Sequence, residues 1–167
     1  QSDDDIKVNG GTVNISATKS CLHSNDGIEI NAGTLFCNGG TNGIKSKGSI
    51  NINGGTMRIS GGTKEEKSSI YAGGIFSYTG GYVYAAGNTV TAPTYSDYPY
   101  AVASLSTYGS GGGSLGVFIN GYEQTSFSPQ NEYRCVMVLS PELYAGAEFG
   151  IAVDGEYHAG YYLEDGQ

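Results

Sequence analysis

The stretch I-K-V-N-G-G-T-V-N-I, from Ile6 to Ile15, recurs at a fixed period of 22 residues as I-E-I-N-A-G-T-L-F-C from Ile28 and I-N-I-N-G-G-T-M-R-I from Ile50. A looser fourth copy, I-F-S-Y-T-G-G-Y-V-Y, begins at Ile75. Each copy holds two short strand patterns around a glycine turn, and none shows helical periodicity. Fixed-period repeats predict a solenoid, and this unit predicts one coil of a parallel β-helix.

Aligning the copies predicts rows of side chains that point into the solenoid, because apolar positions two apart share one face of a strand. The rows are Ile6, Ile28, Ile50 and Ile75; Val8, Ile30 and Ile52; Val13, Leu35, Met57 and Val83; Ile15, Cys37 and Ile59; and, between the phrases, Leu22, Ile44 and Ile70. Three faces per coil predict a triangular cross-section.

One polar row also aligns, formed by Asn9, Asn31 and Asn53 just before the glycine turn. Asparagine tolerates a left-handed backbone and can donate its amide to the same residue one coil away. We interpret the row as a structural ladder, with a binding row as the alternative.

The period stops at Gly87, and strand patterns separated by N-G, S-P and D-G turn signals follow. We expect an all-β chain in which a short single-stranded parallel β-helix of about four coils precedes a small antiparallel β cap packed on the last coil. The predicted parts are coils at 1–87, a linker at 88–100 and the cap at 101–167.

Charge and tyrosine content also differ between the two parts of the chain. Residues 1–87 hold seven acids and seven Lys or Arg, whereas residues 88–167 hold nine acids and only Arg134, and all fourteen tyrosines lie at or after Tyr71. No basic stripe is present, so nucleic acid is not an expected partner. No apolar run is long enough to span a membrane. Because Ile6 opens a coil at once, we expect further domains of a longer chain.

Three cysteines are an odd number, which cannot form a complete disulfide framework. We expect Cys37 to be a small core hydrophobe and Cys21 to point outward or into a corner. No C-x-x-C spacing supports zinc.

The phrases V-N-G-G-T-V-N-I-S, L-H-S-N-D-G-I-E-I-N-A-G-T and N-G-I-K-S-K-G-S-I-N-I-N-G-G-T resemble the bacterial carbohydrate-binding β-helix family of clostridial, often cellulosome-associated, secreted proteins. The resemblance continues through Y-R-C-V-M-V-L-S-P-E-L-Y-A-G-A-E-F-G-I-A-V-D-G. It implies a pectate-lyase-like fold, binding of cellulose or acidic, pectin-like plant cell-wall polysaccharide, calcium on the coils and a location outside the cell or at its surface.

The residues themselves offer one candidate calcium cluster, since calcium takes six to eight oxygen ligands with converging carboxylates. D-D-I-K and N-D-G-I-E occupy equivalent places on neighbouring coils. The candidate ligands are Asp4, Asp5, Asn25, Asp26 and Glu29, with Asp3 beside them. The alternative is an acidic terminus in which Glu29 pairs with Lys7.

A second candidate site is an outward row in which coil stacking sets aromatic and basic side chains side by side. An arginine between two rings could hold a sugar carboxylate while the rings stack on the pyranose. The candidate carbohydrate-binding residues are Asn14, Phe36, Arg58, Tyr84 and Tyr78. The alternative is that the acidic C-terminal sheet folds over this row and buries it.

Catalytic motifs are weak in this sequence. His23 and His158 have no evident acid or nucleophile partner, and G-x-S-x-G is absent. We expect no enzyme activity. We predict a non-catalytic carbohydrate-binding module in which calcium is a candidate aid to glycan binding. The alternatives are a spacer or protein-interaction segment of a surface adhesin and, less favoured, a polysaccharide lyase.

Overall fold

The computed structural model describes residues 1–62 and 67–162, and for residues 159–162 it describes the backbone alone. This part of the chain is all-β and contains no helix, and consequently no helix able to cross a membrane. Its sixteen strands are β1 Ile6–Ala17, β2 Leu22–Ser24, β3 Gly27–Gly39, β4 Ile44–Ser46, β5 Ser49–Ile52, β6 Thr56–Ser60, β7 Ile70–Ala72, β8 Phe76–Tyr78, β9 Tyr82–Gly87, β10 Tyr95–Ser96, β11 Tyr100–Gly109, β12 Leu115–Ile119, β13 Tyr122–Phe127, β14 Tyr133–Leu139, β15 Glu148–Val153 and β16 Glu156–Tyr162.

The first nine strands form a β-solenoid of about four coils, as the repeats predict. The first face consists of the N-terminal parts of β1 and β3 followed by β5 and β8. The second face consists of the C-terminal parts of β1 and β3 followed by β6 and β9. The third face consists of β2, β4 and β7. All neighbours in these faces are parallel, so each residue lies beside its equivalent one coil away.

The inward rows predicted for the first three coils are confirmed by this register. Ile28, Ile50 and Ile52 are at most 1% exposed, whereas Ile6 and Val8 of the first coil are only half-buried because no preceding coil covers them within the described chain.

The predicted place of Ile75 is wrong. Phe76 pairs with Ile50 and Tyr78 with Ile52, so the interval from coil three to coil four is 26 residues on this face. The same interval already separates Ile44 from Ile70, which places the additional residues between β6 and β7. Ile75 is consequently shifted out of the core and is 63% exposed.

The aligned asparagines form the predicted ladder along the corner between the first and second faces. Asn31 Nδ2 donates to Asn9 Oδ1 and Asn53 Nδ2 donates to Asn31 Oδ1, both at 2.8 Å, and Thr79 Oγ1 continues the chain to Asn53. The adjoining corner requires glycine: Gly33 has a φ of 101°, and a Cβ there would lie 2.7 Å from the carbonyl oxygen of Gly11.

The segment from residue 88 to 98 continues along the solenoid and does not leave it. Thr91 N donates to Ile70 O, Thr94 N donates to Phe76 O, and β10 pairs in parallel with β8. These contacts place a partial further turn over the end of coil four.

The C-terminal part adds antiparallel strands in two ways. β14 pairs with β9 and β11 pairs with β14, which extends the second face beyond the coils. The strands β13, β12, β15 and β16 form a separate antiparallel sheet, which we name the closing sheet. Its apolar side packs on the outer surface of β9, β14 and β11 and forms a second core, with Val117, Phe149 and Ile151 at its centre.

A disulfide joins Cys21 to Cys37, a pairing that the odd number of cysteines does not predict. Cys37 does lie in the buried row beside Ile15 and Ile59. The turn before β2 brings Cys21 alongside it, with a Cα to Cα distance of 5.9 Å that suits a disulfide. Residues of neighbouring coils therefore meet although they occupy different places in the repeat. Cys135 is free and buried, and burial raises the pKa of its thiol.

Candidate functional site

The predicted outward row exists on the second face. Asn14 pairs with Phe36, Phe36 with Arg58, and Arg58 with Tyr84, each in register on hydrogen-bonded strands. Neighbouring side chains of this row are therefore about 4.8 Å apart at the backbone. The repeat alone determines this order.

The closing sheet covers only one end of the row. Tyr84 is 3% exposed and belongs to the second core, whereas Phe36 is 40% exposed and Asn14 also faces solvent. The outer surface of the solenoid thus has a step: coils one and two form an open ledge, and the edge of the closing sheet rises beside it. Arg58, half-buried, lies at the foot of this step.

Arg58 is fixed by contacts on both sides. Its Nε donates to Thr125 Oγ1 of β13 at 2.8 Å, and its Cζ lies 5.3 Å from the centroid of the Phe36 ring. The second contact is within cation–π range. None of the described carboxylates forms an ion pair with this guanidinium. The positive charge is therefore positioned by the fold and available to a ligand.

A groove of about 360 Å³ follows the step. Its floor is formed by Asn14, Ser16, Phe36 and Asn38 from coils one and two, and its wall by Arg58, Phe127, Ser128 and Gln130. None of the described carboxylates lines it. The groove therefore combines two aromatic rings, several amide and hydroxyl groups and one uncompensated positive charge.

Asn131 fastens the wall of this groove to its floor. Its Nδ2 donates to Asn38 Oδ1 at 3.2 Å and to Gly39 O at 3.0 Å, and its backbone N donates to Ser60 Oγ at 3.3 Å. These bonds link the segment after β13 to coils two and three, so the width of the groove is set by the fold.

Two of the predicted carbohydrate-binding tyrosines are not at the surface. Tyr78 is fully buried in the solenoid core, where its hydroxyl donates to Gly81 O at 2.6 Å. It points inward because coil four is shifted by one position relative to the sequence alignment. Tyr84 is buried because the closing sheet packs on β9. Burial raises the pKa of both phenols, so both stay neutral near pH 7. Neither ring offers a face to a sugar, which corrects the prediction for these two residues.

The predicted calcium ligands lie on neighbouring coils, but they form ion pairs and hydrogen bonds with other residues of the protein. Glu29 forms an ion pair with Lys7 at 3.2 Å and accepts a hydrogen bond from Asn31, and these two contacts lower the pKa of its carboxyl group. Asp3 accepts from Asn25 Nδ2 at 2.6 Å.

The remaining predicted ligands make backbone contacts. Asp4 accepts at its backbone oxygen from Ser24 Oγ, and Asp26 does so from Ser46 Oγ. The Asp5 carboxylate lies against Gly27, with Oδ1 at 2.6 Å from where a Cβ would stand. Within the described ranges no three His, Cys, Asp or Glu side chains gather as a metal would require, so these contacts do not supply the oxygen cage that calcium needs. Calcium binding stays a prediction.

The sequence predicts Arg58 but does not reveal the rest of the groove wall. Thr125, Phe127 and Gln130 lie on and after β13, outside the repeats, and reach coils one to three only through the packing of the closing sheet. The only available signal is an S-F-S-P turn that leaves one aromatic residue between polar neighbours.

Comparison with known proteins gives one result. A family model described as "Carbohydrate-binding domain-containing protein" matches residues 1–123, which include the coils, the ledge and the start of β13. No curated protein and no solved structure matches the chain significantly.

Proposed function

Because this chain belongs to the family of carbohydrate-binding domain-containing proteins, we propose that it is a non-catalytic module that holds a polysaccharide in the groove beside Phe36 and Arg58. The observation that carries the proposal is the pairing of an exposed ring with an arginine that has no ion-pair partner among the described residues. Sugar recognition uses an aromatic face for the apolar side of the ring and polar groups for its substituents.

The preferred ligand is an acidic, pectin-like plant cell-wall polysaccharide. A guanidinium group binds a carboxylate with two parallel hydrogen bonds, and among the residues that the structure describes no carboxylate lines the groove to oppose an anionic sugar. Phe36 and Phe127 supply apolar surface at the same place. The net charge of −8 acts against an anionic ligand at long range, but residues 1–87, which form the solenoid, hold seven acids and seven Lys or Arg. Cellulose, which lacks the carboxylate, is the weaker candidate.

The proposed location is outside the cell or at its surface. A disulfide such as Cys21–Cys37 persists in an oxidising compartment and is rare in a reducing cytosol. A plant cell-wall polysaccharide would also be accessible to the protein only outside the cell.

Two alternative functions are less favoured. A lyase of the metal-dependent kind needs a cluster of carboxylates next to its basic residue, and no such cluster lies beside Arg58 among the described residues. A spacer segment of an adhesin needs no groove, and this role does not account for the exposed Phe36–Arg58 pair.

The test is isothermal titration calorimetry with polygalacturonate, xylan and a soluble cello-oligosaccharide, run with calcium and again with a chelator. We expect binding to polygalacturonate that Phe36→Ala weakens at least tenfold, because one stacked ring is lost. Tyr71→Ala is the matched control: Tyr71 is also 40% exposed and also lies 5.6 Å from a cation, that of Lys45, but on the third face. Tyr71→Ala should leave the affinity unchanged.

Other results of this experiment redirect the proposal. Binding abolished by the chelator would support calcium at the Asp4, Asp5 and Asp26 corner in place of the groove. Equal loss in both aromatic variants would contradict the groove as the site. No binding to any of the three glycans would contradict the proposed function and favour the spacer.

A further inference from the structure

A second depression, of about 260 Å³, lies on the other side of Arg58 from the groove. It is lined by Thr56, Arg58, Tyr82, Tyr84, Gln124 and Glu142. The groove and this depression share Arg58 as a common lining residue. A ligand held at Arg58 can therefore extend in either direction.

The strand β13 runs past both depressions. Gln124 reaches the second depression, Thr125 is hydrogen-bonded to Arg58 between them, and Phe127 reaches the groove. Six residues of strand span roughly 20 Å, which exceeds the length of a single sugar ring. Within the described chain β13 pairs only with β12, so it is the edge strand of the closing sheet on this side. The two depressions thus follow one continuous edge and suit an extended chain.

The chemistry of the two depressions differs. Among the described residues, Arg58 is the only charged one that lines the groove, whereas the second depression adds the exposed carboxylate of Glu142. Glu142 Oε1 lies 3.5 Å from the Tyr82 hydroxyl, and Gln124 stands beside them. A carboxylate accepts hydrogen bonds from sugar hydroxyls, but it repels a second carboxylate. The half-buried Tyr82 ring adds an apolar surface.

We propose that the glycan continues past Arg58 into the second depression and that the sugar bound there is uncharged. This inference rests on the proposed function and refines it: the preferred polysaccharide carries an acidic sugar next to a neutral one. Glu142 is the residue that determines this specificity, since it is the one negative charge among the described lining residues of both depressions.

The experiment compares three soluble polymers of one backbone by titration calorimetry: polygalacturonate, pectin with about half of its carboxylates methyl-esterified, and fully esterified pectin. Wild-type protein should bind the half-esterified polymer tightest, because it offers both a carboxylate for Arg58 and an uncharged neighbour for Glu142. Glu142→Gln should bind polygalacturonate about two- to fivefold tighter than wild type, the size expected for partly exposed charges, and so lose the preference. Glu123→Gln is the matched control, because Glu123 is an exposed acid on the same strand that lines neither depression.

The outcomes separate this inference from the proposed function. Equal affinity of wild type for polygalacturonate and the half-esterified polymer, with no effect of Glu142→Gln, would overturn the second position while leaving the groove intact. The same gain in Glu123→Gln and Glu142→Gln would also overturn it, since the effect would then be one of net charge. If the wild-type protein binds none of the three polymers, both the proposed function and this inference are overturned.

Discussion

The coils and the C-terminal strands use opposite means to fix which strand lies beside which. In the coils every strand pairs in parallel with its equivalent one repeat away, so Ile28 lies beside Ile6 and Ile50 lies beside Ile28. In the C-terminal part β14 inserts between β9 and β11, and β12 inserts between β13 and β15, all antiparallel. No period predicts those neighbours, because each pairing depends on closure of a different loop.

The comparison teaches where a binding site can arise in such a fold. The coils supply a regular row of outward side chains, and the C-terminal strands determine which members of that row stay open. Phe36 is exposed and Tyr84 is buried although they differ by only two coils. Function therefore concentrates at the border between the repetitive and the irregular regions.

The two regions nevertheless share strands. β9 and β14 contribute inward side chains to the solenoid core, such as Val83 and Met137, and outward side chains to the second core, such as Tyr84 and Val136. Because the same two strands belong to both cores, we expect the regions to unfold together.

The strongest test of that coupling is truncation of a matched pair of phenylalanines. Phe76 is 0% exposed in the solenoid core and Phe149 is 2% exposed in the second core. Phe76→Ala and Phe149→Ala should each lower the free energy of unfolding by about 3–5 kcal/mol, since each leaves a large cavity. Urea denaturation followed by circular dichroism and by tyrosine fluorescence should show one shared transition in both variants. Two transitions, of which each variant shifts only one, would show that the regions are independent.

A smaller effect is expected from the disulfide, which joins two residues of the coils. Cys21 and Cys37 are 16 residues apart, and a loop of that length predicts a stabilisation of about 3 kcal/mol from restriction of the unfolded chain. Dithiothreitol should lower the urea midpoint of wild type and have no effect on the Cys21→Ala/Cys37→Ala double variant. Cys135→Ala, which removes a free buried thiol from β14, should keep the response to reductant. A wild-type midpoint that is insensitive to reductant would refute the role of the bond.

The smallest effect concerns pH and the third face. Burial lowers the pKa of His23 below 6.5, and Lys45 and Lys47 on the next coil lower it further. Because the folded pKa is below the unfolded one, the contribution of neutral His23 to stability is present above pH 6.5 and is lost as pH falls through the lowered pKa. Urea midpoints at pH 8 and pH 5 should therefore differ more for wild type than for His23→Gln. His158→Gln, which removes the exposed imidazole of the closing sheet, is the matched control. Equal pH dependence in wild type and His23→Gln would contradict this assignment.

Prediction from sequence succeeds for particular residues and fails for others, with a physical reason in each case. The Asn9–Asn31–Asn53 ladder and the order of Asn14, Phe36 and Arg58 follow from the 22-residue period alone. The prediction that Tyr78 faces solvent is wrong because the fourth copy is offset by one residue from the sequence alignment. A shift of one residue exchanges the inner and outer faces of a strand. The Cys21–Cys37 disulfide was not predicted, because its two cysteines occupy different places in the repeat.

The amino-acid sequence by itself determined the all-β class, the coil, and the inward and outward rows of the first three coils, because a fixed 22-residue period places each residue beside its equivalent one repeat away. Only the tertiary structure decided that Tyr84 is covered, that Phe36 is open and that Arg58 stands between two depressions walled by β13. Those outcomes depend on where a non-repetitive sheet packs. That packing follows from the total apolar area buried between distant segments, a quantity that no local pattern contains.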